Sequence, residues 1–255
     1  ATIGGNATQL TKDNLSNLNS TDVVALNLST TMSSDAELTQ FRELRAKTGG
    51  KITGTVSAAI AKLKASAATG LTTVATDSIA LTITDAPLGN GNRADLEALL
   101  GKTAGVTTAS ASFDVTNFNA FAASDASDAN DLITLTATGG AITTANFNAA
   151  KANTGAGITA SVTDAAATIV TGSGKLAANT ADTLTIAVND GKSFGGSGGA
   201  SFSDFKTLLA ATDKAKTTVT ATVEESAANL ATLNADAATD TLTFTVTGSA
   251  TGATG

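Results

Sequence analysis

The chain has 255 residues, is 42% apolar and acidic with a formal net charge of −7, and contains no His, Cys, Trp or Tyr. That length sets no limit on core size, but the missing residue types remove thiol and imidazole chemistry, disulfides and the usual zinc and haem ligands. With 15 Lys and Arg against 22 Asp and Glu and no basic cluster, a nucleic-acid partner is not expected.

The elements follow in chain order. A helical stretch near Leu15 and Leu18 leads into the strand-like segment 22–28 (DVVALNL), which the spacing leaves as an unpartnered first strand. Helical spacing of Leu38, Phe41 and Leu44 predicts a helix over 37–47, followed by a strand at 52–56 (ITGTV) and an Ala-rich helix over 58–68. The order then repeats: strand 77–83 (DSIALTI), helix 94–100, strand 106–110 (VTTAS), helix 118–123, strand 131–137 (DLITLTA), helix 145–152, strand 158–162 (ITASV) and helix 165–170. Strand 182–188 (DTLTIAV), a Gly-rich loop over 189–199, helix 204–211, strand 219–223 (VTATV), helix 227–233 and strand 240–246 (DTLTFTV) complete it. Ser, Asp or Asn opens many of the helices, and Gly49, Gly70 and Gly105 close several segments.

The Asp-led segments start at 22, 77, 131, 182 and 240, in steps of 55, 54, 51 and 58, and the second strand type interleaves with them. Such fixed-period similarity is the signature of repeat architecture. Connections of this length suit parallel strands with helical crossovers rather than hairpins. Apolar residues alternating with Thr predict one covered face and one open face, whereas a sheet covered on both sides carries continuous apolar runs. The expected class is α/β, a repeat solenoid of short parallel strands and short Ala-rich helices, with a doubly wound αβα sandwich as the alternative. The expected organisation is a single repeat array over 1–255, with an incomplete first unit 1–35 and units of about 36–90, 91–141, 142–199 and 200–255. Recurrence at equivalent strand positions predicts that Leu81, Ile83, Leu135, Leu184, Ile186, Leu242 and Phe244 are core.

Candidate sites are few. Gly191-Lys192-Ser193 and Gly101-Lys102-Thr103 resemble the end of a phosphate loop, but the required earlier glycines are Ile186 and Leu96, so both read as turns. Asp125, Asp128 and Asp131 supply hard oxygens at a strand start and are the candidate calcium ligands; turn and capping aspartates are the competing reading. Glu224 and Glu225 are adjacent on a strand, hence on opposite faces, which does not make a glycosidase pair across a cleft. Sequons at Asn6, Asn14, Asn19 and Asn27 matter only where the source glycosylates. The Thr-rich face is similar to ice-binding surfaces, although Thr also favours strands and keeps an exposed sheet soluble.

Residues 219–233 (VTATVEESAANLATL), followed by 240–246, resemble repeats of large secreted bacterial surface proteins of the adhesin or S-layer kind exported by type I secretion, and 158–167 (ITASVTDAAA) is similar. The resemblance implies a structural repeat segment or subunit of an extracellular layer, filament or adhesin stalk; the missing residue types point to a non-catalytic chain, and terminal units without polar caps to association with copies of itself or adjoining repeats. In a rival reading the chain is a binding module that takes calcium, a surface glycan or ice through its Asp loops or Thr-rich sheet face. Composition points the same way, to an extracellular or cell-surface location without membrane insertion. A chain opening at Ala1 reads as a processed product or a piece of something longer.

Overall fold

A computed structural model describes residues 1–6, 9–64, 71–73, 76–124, 130–196, 199–233, 235 and 240–247. The fold is α/β, built on an 11-stranded sheet whose order is β1-β2-β3-β4-β5-β6-β7-β8-β10-β11, with β9 also pairing β10 and no closure into a barrel. The strands are β1 Thr2–Gly5, β2 Ala25–Met32, β3 Ile52–Ala58, β4 Ser78–Ile83, β5 Thr107–Asp114 and β6 Leu132–Ile142. They continue with β7 Ile158–Asp164, β8 Thr183–Val188, β9 Ser193–Gly195, β10 Thr217–Glu225 and β11 Thr241–Val246. The helices are α1 Asp35–Arg45, α2 Ile60–Leu63, α3 Arg93–Leu100, α4 Val115–Ala122, α5 Thr144–Ala152, α6 Ala166–Val170, α7 Phe202–Ala211 and α8 Ala227–Leu230. A doubly wound sheet reverses its strand order at a switch point. Here the order runs with the chain throughout.

By contact the chain gathers into two compact units, one of residues 1–113, 124–135 and 152–156, the other of 114–123, 136–151 and 157–255. In the first, β3 and β4 run parallel with Val56 opposite Leu81 and Ala58 opposite Ile83. These four are buried, as are Ile52 and Ile79 on the same face, while Ser78, Ala80 and Thr82 between them are half-buried. Period-two burial follows directly from the pleat. Helix α1 closes this layer with Leu38, Phe41 and Leu44, and α3 with Leu96, Leu99 and Leu100. Ser34 caps α1 through a capping box: its hydroxyl accepts from the Glu37 N–H and the Glu37 carboxylate accepts from the Ser34 N–H at 2.9 Å.

The second unit repeats the scheme. Ala160 faces Leu184 and Val162 faces Ile186 across β7 and β8, and Val219 faces Ile186 across β10 and β8. All five are buried, under Ile169, Phe205, Leu208 and Leu209 among others. Of the nine phenylalanines in the chain, seven are fully buried; the two that are not are Phe202 and Phe244.

Four expectations are corrected. No helix forms near Leu15 and Leu18, where residues 13–17 are turns. Thr11, Asn14, Asn19 and Asp22 instead tie the backbone locally, as in Asn14 N–H to Thr11 Oγ1 at 3.1 Å and Asn19 N–H to Asp22 Oδ2 at 2.8 Å. Such short side chains compete with helical hydrogen bonding. The first Asp-led strand is not unpartnered, because β1 runs parallel to β2 with Ile3 opposite Leu26. The Gly-rich segment is not a plain loop: Ser193–Gly195 forms β9, and the buried Phe194 ring stacks on Phe205 with centroids 4.1 Å apart. Finally, Leu242 is half-buried and Phe244 is 50% exposed, whereas Leu81, Ile83, Leu135, Leu184 and Ile186 are buried as expected. Among the described residues strand β11 is outermost in the sheet order and has a strand neighbour, β10, on one side only.

Candidate functional site

The recurrent aspartates stand at the N-terminal ends of strands, where a sheet has N–H groups to satisfy. Asp77 Oδ1 accepts from the Ile52 N–H of β3 at 2.7 Å, and Asp182 Oδ1 from the Ile158 N–H of β7 at 2.9 Å. Asp131 does the same for Thr107 of β5 at 2.6 Å, and Asp240 for Val219 of β10 at 2.9 Å. Each carboxylate therefore extends the ladder by one bond to the preceding strand of its sheet. Asp77 and Asp182 are fully buried, and each also meets a cation from a helix end: Arg45 Nη1 at 2.7 Å and Lys151 Nζ at 2.8 Å.

A second set of side chains interlocks with the first. The Thr154 hydroxyl accepts from Ile133 N–H at 2.9 Å and Ala156 N–H at 3.0 Å, and lies 3.1 and 2.8 Å from the Asp131 and Ile133 carbonyl oxygens. Thr103 stands in the same relation to Ile79, Gly105 and Asp77, and Thr48 to Val24, Gly50 and Asp22. Arg45 joins the two sets, since Nη2 donates to the Thr48 and Gly50 carbonyls. Close approach requires glycine two positions after Thr48 and Thr103: a Cβ on Gly50 or Gly105 would overlap the carbonyl oxygen of Val24 or Ile79. The Thr-x-Gly signal at 48–50 and 103–105 is visible in the sequence, but the periodic apolar pattern does not point to it. At the opposite strand ends, Asp85 accepts from Ile60 N–H at the start of α2 and Asp164 from Thr144 N–H, 3.1 Å away, at the start of α5.

The sequence-derived candidates fall as follows. Asp125 and Asp128 lie outside the described residues. Asp131 is buried, with its carboxylate on the Thr107 N–H. Among the described residues no three or more acidic, His or Cys side chains cluster closely enough to hold a metal ion. Glu224 accepts from Ser193 Oγ at 3.2 Å, whereas Glu225 accepts from Asn229 Nδ2 at 2.7 Å, so the adjacent pair is split between neighbours. Thr103 of the Gly101-Lys102-Thr103 stretch belongs to the frame above, and Ser193 of the other stretch opens β9. Asn27 stands on β2, accepting from Thr53 Oγ1 at 3.0 Å. The Thr rows on the less buried face are in register, with Thr220 opposite Thr241 and Thr222 opposite Thr243, and are broken by Ala187 and Glu224. Among the described residues no helix is long and apolar enough to cross a membrane.

Comparison with known protein families, curated proteins and solved structures finds no match. The buried aspartates accept hydrogen bonds from the backbone of the preceding strand, and Asp77 and Asp182 also pair with a cation.

Proposed function

We propose that this chain is a non-catalytic structural repeat segment of an extracellular or cell-surface assembly, a solenoid that joins copies of itself or adjoining repeats through its outermost strands. The observation that carries this reading is the register of β11 on β10. Phe244 is opposite Val223 and Leu242 opposite Ala221. Val223 and Ala221 are buried, yet Phe244 is 50% and Val246 59% exposed. The strand carries no charge and no proline, the devices by which natural sheets blunt an edge. A further strand and helix laid beside β11 would cover these positions as the inner ones are covered. An edge meeting a different edge is a heterologous contact, which extends into a filament unless the rotation closes.

Strand order that follows the chain and burial that alternates along each strand support the solenoid. The acidic, Thr-rich, cysteine-free composition and the resemblance to secreted surface repeats support export. Missing imidazole and thiol groups support the non-catalytic role. Sedimentation across a wide concentration range tests assembly: association that grows with concentration is expected, and Phe244→Glu should abolish it without unfolding the chain. A particle that stays monomeric at every concentration would sink the reading.

A further inference from the structure

The second unburied phenylalanine, Phe202, lines a cleft of about 420 Å³ with Ser203, Lys206, Glu225, Asn229 and Thr232. The cleft opens where β10 ends at Glu225, against the first turn of α7 and against α8. In parallel α/β sheets ligands gather outside the carboxyl ends of strands.

Its polar groups are fixed yet incompletely used. Glu225 Oε2 accepts both from Asn229 Nδ2 at 2.7 Å and from the Ser226 N–H at 3.1 Å. These two bonds hold the carboxyl below its ordinary value, so it is charged at neutral pH. Among the described residues, Glu225 Oε1 and Asn229 Oδ1 accept no hydrogen bond. Lys206 Nζ donates to Thr232 Oγ1 at 2.9 Å and lies 5.9 Å from the centre of the Phe202 ring. An ammonium has three donors, which leaves two for a guest.

The set disfavours three ligand chemistries. An anion would meet Glu225, and a cation would meet Lys206. An apolar guest would strand the fixed acceptors without water, at a cost. A hydroxyl donates and accepts at once, so neighbouring hydroxyls satisfy carboxylate, amide and ammonium together. We propose that this cleft binds a neutral hexose unit of a glycan, whose hydroxyls donate to Glu225 Oε1 and Asn229 Oδ1 and accept from Lys206 Nζ while its C–H face packs on Phe202. The assignment stands apart from the assembly role and does not rest on it.

The test is a backbone-amide NMR titration of the full chain with the methyl glycosides of glucose, galactose and mannose, alongside sodium sulfate as the anion control. At least one glycoside should give saturating shifts confined to the signals of residues 201–206 and 225–232, with a dissociation constant on the order of 1 mM for so small a ligand. Phe202→Ala and Glu225→Gln should each weaken it at least about tenfold, and the isosteric Glu225→Gln carries the test alone if the alanine variant misfolds. The proposal is overturned if no glycoside saturates up to its solubility limit, if sulfate saturates the same signals and the glycosides do not, or if folded variants bind like the parent.

Discussion

Asp77 makes two charged or polar contacts on a single oxygen atom while fully buried, and that concentration of duty sets the cost of losing it. Asp77→Ala would leave the Arg45 guanidinium, itself 9% exposed, without its carboxylate, and the Ile52 N–H without its acceptor. Breaking a buried pair by removing one partner costs about 3–5 kcal/mol. Urea unfolding should show that loss, and a midpoint within error of the parent would disprove the role. Thr154→Val keeps the shape and removes the hydroxyl that Ile133 and Ala156 donate to. Leaving those buried donors unsatisfied should cost about 1–3 kcal/mol, again read from unfolding midpoints. The repeat of aspartate was legible in the sequence because it recurs at a fixed step. Its partner was not, since Ile52 lies 25 residues away and only strand pairing brings the two together.

At the scale of elements, α1 illustrates how much of a helix is local. Ser34, Asp35 and Glu37 supply cap, first-turn acid and capping-box acid within four residues, and Arg42 and Arg45 fill the last turn. Ser34→Ala should lower stability by about 1 kcal/mol in a thermal or urea melt. The N–H groups of Ser33 and Ser34, then the Ser34 hydroxyl, hold the Glu37 carboxyl below its ordinary 4.5. That contribution is fully present above the unfolded value and fades as pH falls through the lower folded value. The parent should therefore lose more stability than Glu37→Gln between neutral pH and about pH 3; parallel pH profiles would refute the linkage. Strand β9 is the opposite case. Gly191, Gly195 and Gly196 around it look like a linker, but Gly195 and Gly196 adopt the left-handed conformation, with φ of 86° and 70°, that turns the chain at its end. The element exists because Phe194 is buried against Phe205.

The whole molecule makes a contrast between those buried rings and the edge. Phe194→Ala should cost about 3–5 kcal/mol, the usual loss for a buried phenylalanine. Phe244→Ala, at a half-exposed site, should cost well under half as much in a dilute monomer and act mainly on association. Paired denaturation and sedimentation measurements on the two variants separate the effects. Equal destabilisation would mean that β11 is covered in solution even without a partner.

Composition, period and alternation by themselves determined the α/β class, the recurrence of strand and helix, and five of seven named core positions, because each depends on residues close in sequence. Leu81 and Ile186 are buried for reasons visible within their own strands. Leu242 and Phe244 carry the same local pattern and are not buried, because burial also needs neighbours on both sides and, among the described residues, β11 has a strand on one. The added strands β1 and β9 and the Asp-to-backbone bonds were likewise decided by tertiary structure, whereas the turns before β2 are local but invisible to periodicity. Each requires a partner tens of residues away or a competition between side chain and helix that periodicity does not register. The cleft at Phe202 is the clearest instance: Phe202 and Lys206 meet Glu225 and Asn229 only where β10 ends between two helices.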